Sequence, residues 1–325
     1  MRDTTGLCRT DDARANAPDL QPAECGIIRA RMIRVPISRL AAVLLALGAL
    51  AVVSACAGGE DPLAEAAREA GPEHVHGLGL NPADGSLYVA THTGLFRMEP
   101  GSDDAERVGD RLQDTMGFAI VGPNRFIGSG HPDLRDGLPP LLGLIESSDA
   151  GRSWDSVSLL GKADFHALRA MGSRVVGFDA SGGRVMTSSN GGRTWHSSSP
   201  PAALADVVVD PSDPDHLVAA SEAGLIASPD AGASWSPLAG IAGIAIALAW
   251  PASDALYALA PDGAVSVSAD GGKSWTPLGS LPSEPAAVTA LDDDSLIVAL
   301  HDGAFVSSSD GGRSWSPGAW SWAGS

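Results

Sequence analysis

Lysine is almost missing from this 325-residue chain, which holds only Lys162 and Lys273. Lysine and arginine together number 21, against 39 aspartates and glutamates. Counted from Cys56 onward, 34 acidic residues face 14 basic ones. No stretch gathers the cations, and an acidic excess of this size opposes nucleic acid as a partner. Cysteine is equally scarce: Cys8 and Cys25 fall in the first 31 residues and Cys56 stands alone after them. A chain that begins at Cys56 can form no internal disulfide. Tyrosine occurs twice, as Tyr88 and Tyr257. A Gly-x-Ser-x-Gly elbow, a phosphate-cradling glycine loop and paired cysteines are all absent, which removes three common catalytic and metal signatures.

One pattern is abundant. Ser-x-Asp/Asn-x-Gly-x-x-Trp occurs at 147–154, 188–195, 228–235, 268–275 and 308–315. Its closing residues, Trp154, Trp195, Trp235, Trp275 and Trp315, are spaced by 41, 40, 40 and 40 residues. A fixed period near 40 marks a repeat architecture. Within each box the acidic or amide residue (Asp149, Asn190, Asp230, Asp270, Asp310) can accept bonds from backbone N–H groups just ahead of it. The glycine two residues later can take a positive φ. The indole is expected to bury roughly 150–250 Å² against neighbouring strands, on the order of 4–6 kcal/mol per box as an upper estimate. The box therefore reads as a folded turn plus a core anchor.

Around each box lie short β-rich runs separated by glycine, proline and aspartate turns, as at 74–80, 87–90 and 95–98. Four strands per 40 residues is the blade of a β-propeller. Six blades are predicted, near 73–113, 114–160, 163–200, 203–240, 243–280 and 283–322. The first lacks a box, the second carries an insertion at 131–140, and Trp320 and Trp322 are placed to seal the ring. The boxes resemble the Asp-box (BNR) repeat shared by sialidases, the sortilin luminal domain and related propellers. That resemblance implies an all-β, six-bladed propeller of four-stranded antiparallel blades, and it implies little about function, since the box serves enzymes and binding proteins alike.

Ahead of the repeat, residues 1–31 read as a disordered extension or a mis-assigned start, with Met32 the better beginning. Arg34 and Arg39 then precede a 14-residue apolar run at 40–53, too short for an ordinary membrane span. Residues 53–56, Val-Ser-Ala-Cys, resemble a bacterial lipobox. The resemblance implies a signal peptide at 32–55, cleavage before Cys56 and diacylation of its thiol, which anchors the protein stably at the extracytoplasmic face of the cell membrane. Residues 56–72 suit a flexible tether, and 73–325 the propeller. An ordinary signal peptide or a short anchor helix is the alternative reading.

Aligning the blades places most of the eight histidines on one face. His74, His76 and His166 begin inner strands, His92 and His301 sit at second-to-third-strand turns, and His131 lies in the insertion. Asp133, Asp164, Asp179 and Asp302 map to the same face, while His216 maps to the other and His196 follows a box. The candidate ligand site is therefore His76, His92, His131, Asp133, Asp164, His166 and Asp179 around the channel mouth. Imidazoles and carboxylates there can hold a divalent transition metal, with His76, His131 and His166 as donors. They can also act as general acids or bases, with Asp133, Asp164, His131 and His166 as candidates, or hydrogen-bond a glycan, a small polar ligand or a protein partner.

His-x-His-Gly-Leu, Thr-His-x-Gly-Leu-Phe, Ser-Gly-His-Pro-Asp and Asp-Phe-His-Ala-Leu also look like a family of exported bacterial propellers labelled exo-sialidases or glycosyl hydrolases. A retaining sialidase needs an arginine triad, a tyrosine nucleophile with a glutamate partner, and an aspartate acid/base. Tyr88 and Tyr257 align to the same mid-strand packing position, and Arg152, Arg193 and Arg313 lie inside boxes on the opposite face. The expected function is ligand or partner binding at the His/Asp-rich face. A glycoside-hydrolase-like enzyme with a non-standard site is the alternative, and an extracytoplasmic assembly or scaffold factor a second one.

Overall fold

The second strand of a blade is sandwiched between the strands on either side, and in blades one, five and six it is buried along its whole length rather than alternating. All five residues of Leu87–Thr91, of Ala255–Leu259 and of Leu296–Leu300 are buried. The computed structural model describes residues 74–102, 104–241 and 243–318. The leader, all three cysteines, the tether, Trp320 and Trp322 lie outside them. The described residues form six four-stranded antiparallel sheets, and in each the strands pair in chain order. This is a six-bladed β-propeller, with blades where the repeat predicts them.

The inner strands are Val75–Leu80, Asp114–Gly122, Phe165–Met171, Leu204–Asp210, Ala247–Ala252 and Pro285–Ala290. Each packs beside the next, and the sixth packs beside the first, which closes the ring. Closure exchanges no strand among the described residues. It rests on apolar packing of Val75, Leu87, Val89, Phe96 and Met98 of blade one against Ala287, Ile297 and Ala299 of blade six.

The Asp boxes fold alike. In the second blade, Ser147 donates to Asp149 at 2.8 Å and accepts from the Gly151 N–H at 2.8 Å. Asp149 in turn accepts from the Ser153 N–H at 2.9 Å and its hydroxyl at 2.6 Å. Gly151 takes φ 83°. Serine at the first position and serine or threonine at the seventh thus complete a turn for which the sequence pattern named only the carboxylate and the glycine. The arginines that follow close their own boxes, as Arg152 does on the Asp149 carbonyl at 3.0 Å and Arg193 on that of Asn190 at 3.1 Å.

One expectation needs correcting. The five indoles are half-buried, not buried, so each contributes less than the full area estimated above. Each lies over the seam to the preceding blade: Trp154 against blade one, Trp195 against blade two, Trp235, Trp275 and Trp315 likewise. Blade one has no box, so the seam between blades six and one carries no tryptophan among the described residues. There the Arg107 guanidinium lies 4.5 Å from the Phe96 ring centroid instead.

Candidate functional site

The inner strands share a device invisible in the repeat spacing. In blade one the pairing register shifts between Val75 and Gly77, leaving His76 as the extra residue of a β-bulge. In blade three the register passes from Phe165 to Ala167, and His166 is the extra residue. Blades two, four and six shift at the same place, where the extra residues are Met116, Ala205 and Ala286. A bulge re-aims the side chain it carries. His76 and His166 both line the central channel, a cavity of about 590 Å³ bounded by all six inner strands.

Two residues before the bulge stand His74, Asp114 and Asp164 in blades one, two and three. Asp114 pairs across the sheet with His131, the last residue of its neighbouring strand. Gly130 makes this approach feasible: it sits at φ 134°, and a Cβ there would overlap the Asp114 carbonyl. His92, in the turn that follows Thr91, meets Asp114 through Nδ1 at 2.8 Å. Its ring lies edge-on to His76 with centroids 4.2 Å apart, and 5.5 Å from His74.

Asp164 forms the other half. Its Oδ2 accepts from His166 Nε2 at 2.9 Å and lies 3.6 Å from His131 Nε2. His131 donates its Nδ1 proton to the Pro140 carbonyl at 2.8 Å, which leaves Nε2 toward the carboxylate. Backbone bonds hold the pair in place: Asp164 N–H to Asp179 at 2.9 Å and Phe165 N–H to the Ser129 hydroxyl at 2.9 Å. Two buried atoms at this mouth, His76 Nε2 and Asp164 Oδ1, have no hydrogen-bond partner among the described residues.

The electrostatics separate the two bulge histidines. Burial, with His92, His166 and His74 nearby, pushes His76 down to about 4, so it is neutral at physiological pH. The hydrogen bond to Asp164 raises His166 above the ordinary histidine range. One mouth thus holds a neutral imidazole and a charge-stabilised one, groups that can accept and donate hydrogen bonds side by side.

Of the seven residues expected to form the site, the structure brings five together: His76, His92, His131, Asp164 and His166. The other two are occupied elsewhere. Asp133 caps the short 3₁₀ turn Leu134–Asp136, taking Arg135 at 2.6 Å and the Leu112 N–H at 2.8 Å, and Arg135 holds its carboxyl well below the usual range. Asp179 is fully buried under Asp164, bonded to Arg184 at 2.8 Å and Ser181 at 2.7 Å. It positions Asp164. The donor trio named for a metal, His76, His131 and His166, is divided between the two halves. The group that converges is His76, His92 and Asp114, whose ligand atoms all lie within 4.8 Å of one another. Asp114 was missed because its own blade has methionine, not histidine, at the bulge; its alignment with Asp164 was the available signal.

His301 and Asp302 share a recess of about 220 Å³ with His74 at the seam between blades six and one. His216 packs on Trp250 and bonds Asp210 at 3.0 Å, and His196 is exposed on an outer strand. Tyr88 and Tyr257 are buried, as their alignment predicts; Tyr88 packs on Phe126 and the Tyr257 hydroxyl donates to the Asp293 carbonyl. Deeper in the channel Arg169 grips both oxygens of Asp206 at 2.8 and 2.9 Å.

No family model matches the chain, and no curated protein matches it. Solved structures share the fold. A GH74 enzyme from Niastella koreensis superposes with a TM-score of 0.56 at 16% identity, covering 75% of this chain and 45% of that one. A GH74 xyloglucanase from Xanthomonas campestris gives 0.50 at 17% identity, again over 75% and 45%. YCF48 bound to D1 peptide gives 0.50 at 14% identity, over 75% of this chain and 81% of that one. This chain therefore spans less than half of the GH74 chains. Likeness at this identity establishes the propeller and nothing about activity.

Proposed function

We propose that this protein is an exported, lipid-anchored propeller that binds a protein segment or polar ligand at the His/Asp channel mouth. The observation that carries the reading is the pair of buried, unbonded atoms, His76 Nε2 and Asp164 Oδ1, at the point where three blades converge. An unsatisfied buried polar atom costs about 1–3 kcal/mol, and a ligand that bonds to it recovers that energy. A backbone amide, with its donor and acceptor, suits both atoms.

The neighbouring insertion favours a protein partner. Leu134 is 98% exposed and Leu138 44%, on a loop pinned by the Arg135–Asp133 bond and by Arg111 to Asp136 at 2.6 Å. A pinned loop presenting exposed leucine offers an apolar contact to a partner. YCF48, of the same fold, is a propeller that binds a peptide. The lipobox resemblance at 53–56 supports anchoring through Cys56 on the extracytoplasmic side.

Asp164 between His131 and His166 supports a second reading, hydrolysis by general acid–base catalysis, and the GH74 neighbours of the same fold are enzymes. The full-length chain in detergent, screened against peptide and glycan arrays and chromogenic glycosides, separates these. Capture without turnover, lost at least tenfold in Asp164→Asn and His166→Ala, supports binding; turnover lost in the same variants supports the hydrolase. Capture unchanged in both variants overturns the site. Palmitate labelling that survives Cys56→Ser overturns the anchor.

A further inference from the structure

We infer that the channel mouth is a divalent transition-metal site built by His76, His92 and Asp114. The inference deepens the binding reading above, since it names an ion as a ligand of the same mouth.

The three donors come from three separate pieces of backbone: the bulge of the first inner strand, the turn after Thr91, and the first residue of the second blade's inner strand. The pairing of Val75 with Thr91 brings His76 and His92 together within blade one, and the packing of blade two against blade one adds Asp114. Their ligand atoms already lie within 4.8 Å of one another. Metal–ligand bonds of 2.0–2.2 Å in a tetrahedral set bring donors to about 3.3 Å apart, so little movement is required. His92 and Asp114 are the movable members, with 44% and 25% of their side chains exposed, while His76 is held by the bulge.

Three features distinguish this cluster from a set of surface histidines. His76 Nε2 is buried with no hydrogen-bond partner among the described residues. The rings of His76 and His92 stand edge to face at 4.2 Å, with the Asp114 carboxylate on His92 Nδ1 at 2.8 Å. His74 reaches His92 at 5.5 Å from a backbone at φ 53°, a conformation that a non-glycine residue adopts at a cost. A set of two imidazoles and one carboxylate suits zinc or copper(II) over calcium or magnesium, which prefer all-oxygen sites. Three protein donors would leave a coordination position for a carboxylate or water.

The test uses the full-length chain in detergent, titrated separately with zinc and copper(II). The expected result is one ion per chain, with affinity at least tenfold weaker in His92→Ala and in Asp114→Asn and unchanged in His196→Ala. His92 is exposed, so its removal leaves the fold intact where His76→Ala could disturb it. Copper-loaded protein should show nitrogen hyperfine splitting from two imidazoles, falling to one in His92→Ala. No stoichiometric ion, or equal binding by all three variants, overturns the metal site. Peptide capture by chelator-treated protein keeps the two proposals apart. Capture that persists without metal and needs His166 leaves the binding reading standing alone; metal binding without capture leaves only the metal site.

Discussion

His76 and His166 occupy the same position of the repeat, each the extra residue of a bulge in an inner strand, two blades apart around one channel. Their environments then diverge. His166 has the carboxylate of Asp164 two residues before it, at 2.9 Å, where His76 has His74. The same backbone device thus delivers one imidazole pushed down by burial and one raised by its carboxylate.

Asp164→Asn tests that division directly. Removing the carboxylate removes the main cause of the raised His166 value, so its titration should move down, toward or below the ordinary histidine range. A group raised in the fold stabilises the protein below its unfolded pKa, and that contribution fades as pH climbs through the folded value. Histidine NMR titration of parent and variant reads the shift; an unmoved His166 resonance would mean that Asp164 does not hold it.

The Asp boxes should fail in acid. Bonds from Ser274 and Ser314 hold Asp270 and Asp310 down to about 2. A carboxylate depressed in the fold stabilises it above the unfolded value near 3.8, and the gain is lost as pH falls toward 2. Melting temperature followed by circular dichroism from pH 6 to 2 should therefore hold nearly level to pH 4 and then drop. A flat profile down to pH 2 would show that the box carboxylates contribute nothing to stability.

Ser228→Ala should cost about 1–3 kcal/mol. The Ser228 hydroxyl is buried, donates to Asp230 at 2.9 Å and accepts from the Gly232 N–H at 2.7 Å, so the variant leaves a buried donor unpaired. Urea denaturation measures the loss, and Ser234→Ala, at the exposed end of the same box, should cost less.

The seam between blades six and one is the one with no box tryptophan, and Ile297 is 2% exposed within it. Ile297→Ala should cost about 2–5 kcal/mol as a large-to-small core change. Limited proteolysis of that variant should cut first in blade one or blade six. First cuts in blades three or four would show that the ring does not open at its closure.

The fold was legible because its signals are local. A period near 40 residues, a serine-to-tryptophan box and strand-length apolar runs each lie within one stretch of chain, so blade number and blade limits follow from the sequence alone. Which face gathers the histidines follows as well, since alternate strand ends of a blade must share a face. The site itself was decided by contacts between blades. Asp133 and Asp179 carry the same carboxylate as Asp164, and only the neighbouring Arg135 and Arg184 show that theirs are already bound. Asp114 joins His92 across 22 residues, and His131 reaches Asp164 from the adjoining blade. The bulge matters most: one extra residue turns a side chain to the other face of a strand, and its presence at His76 and His166 depends on pairing register, which spacing along the chain does not record.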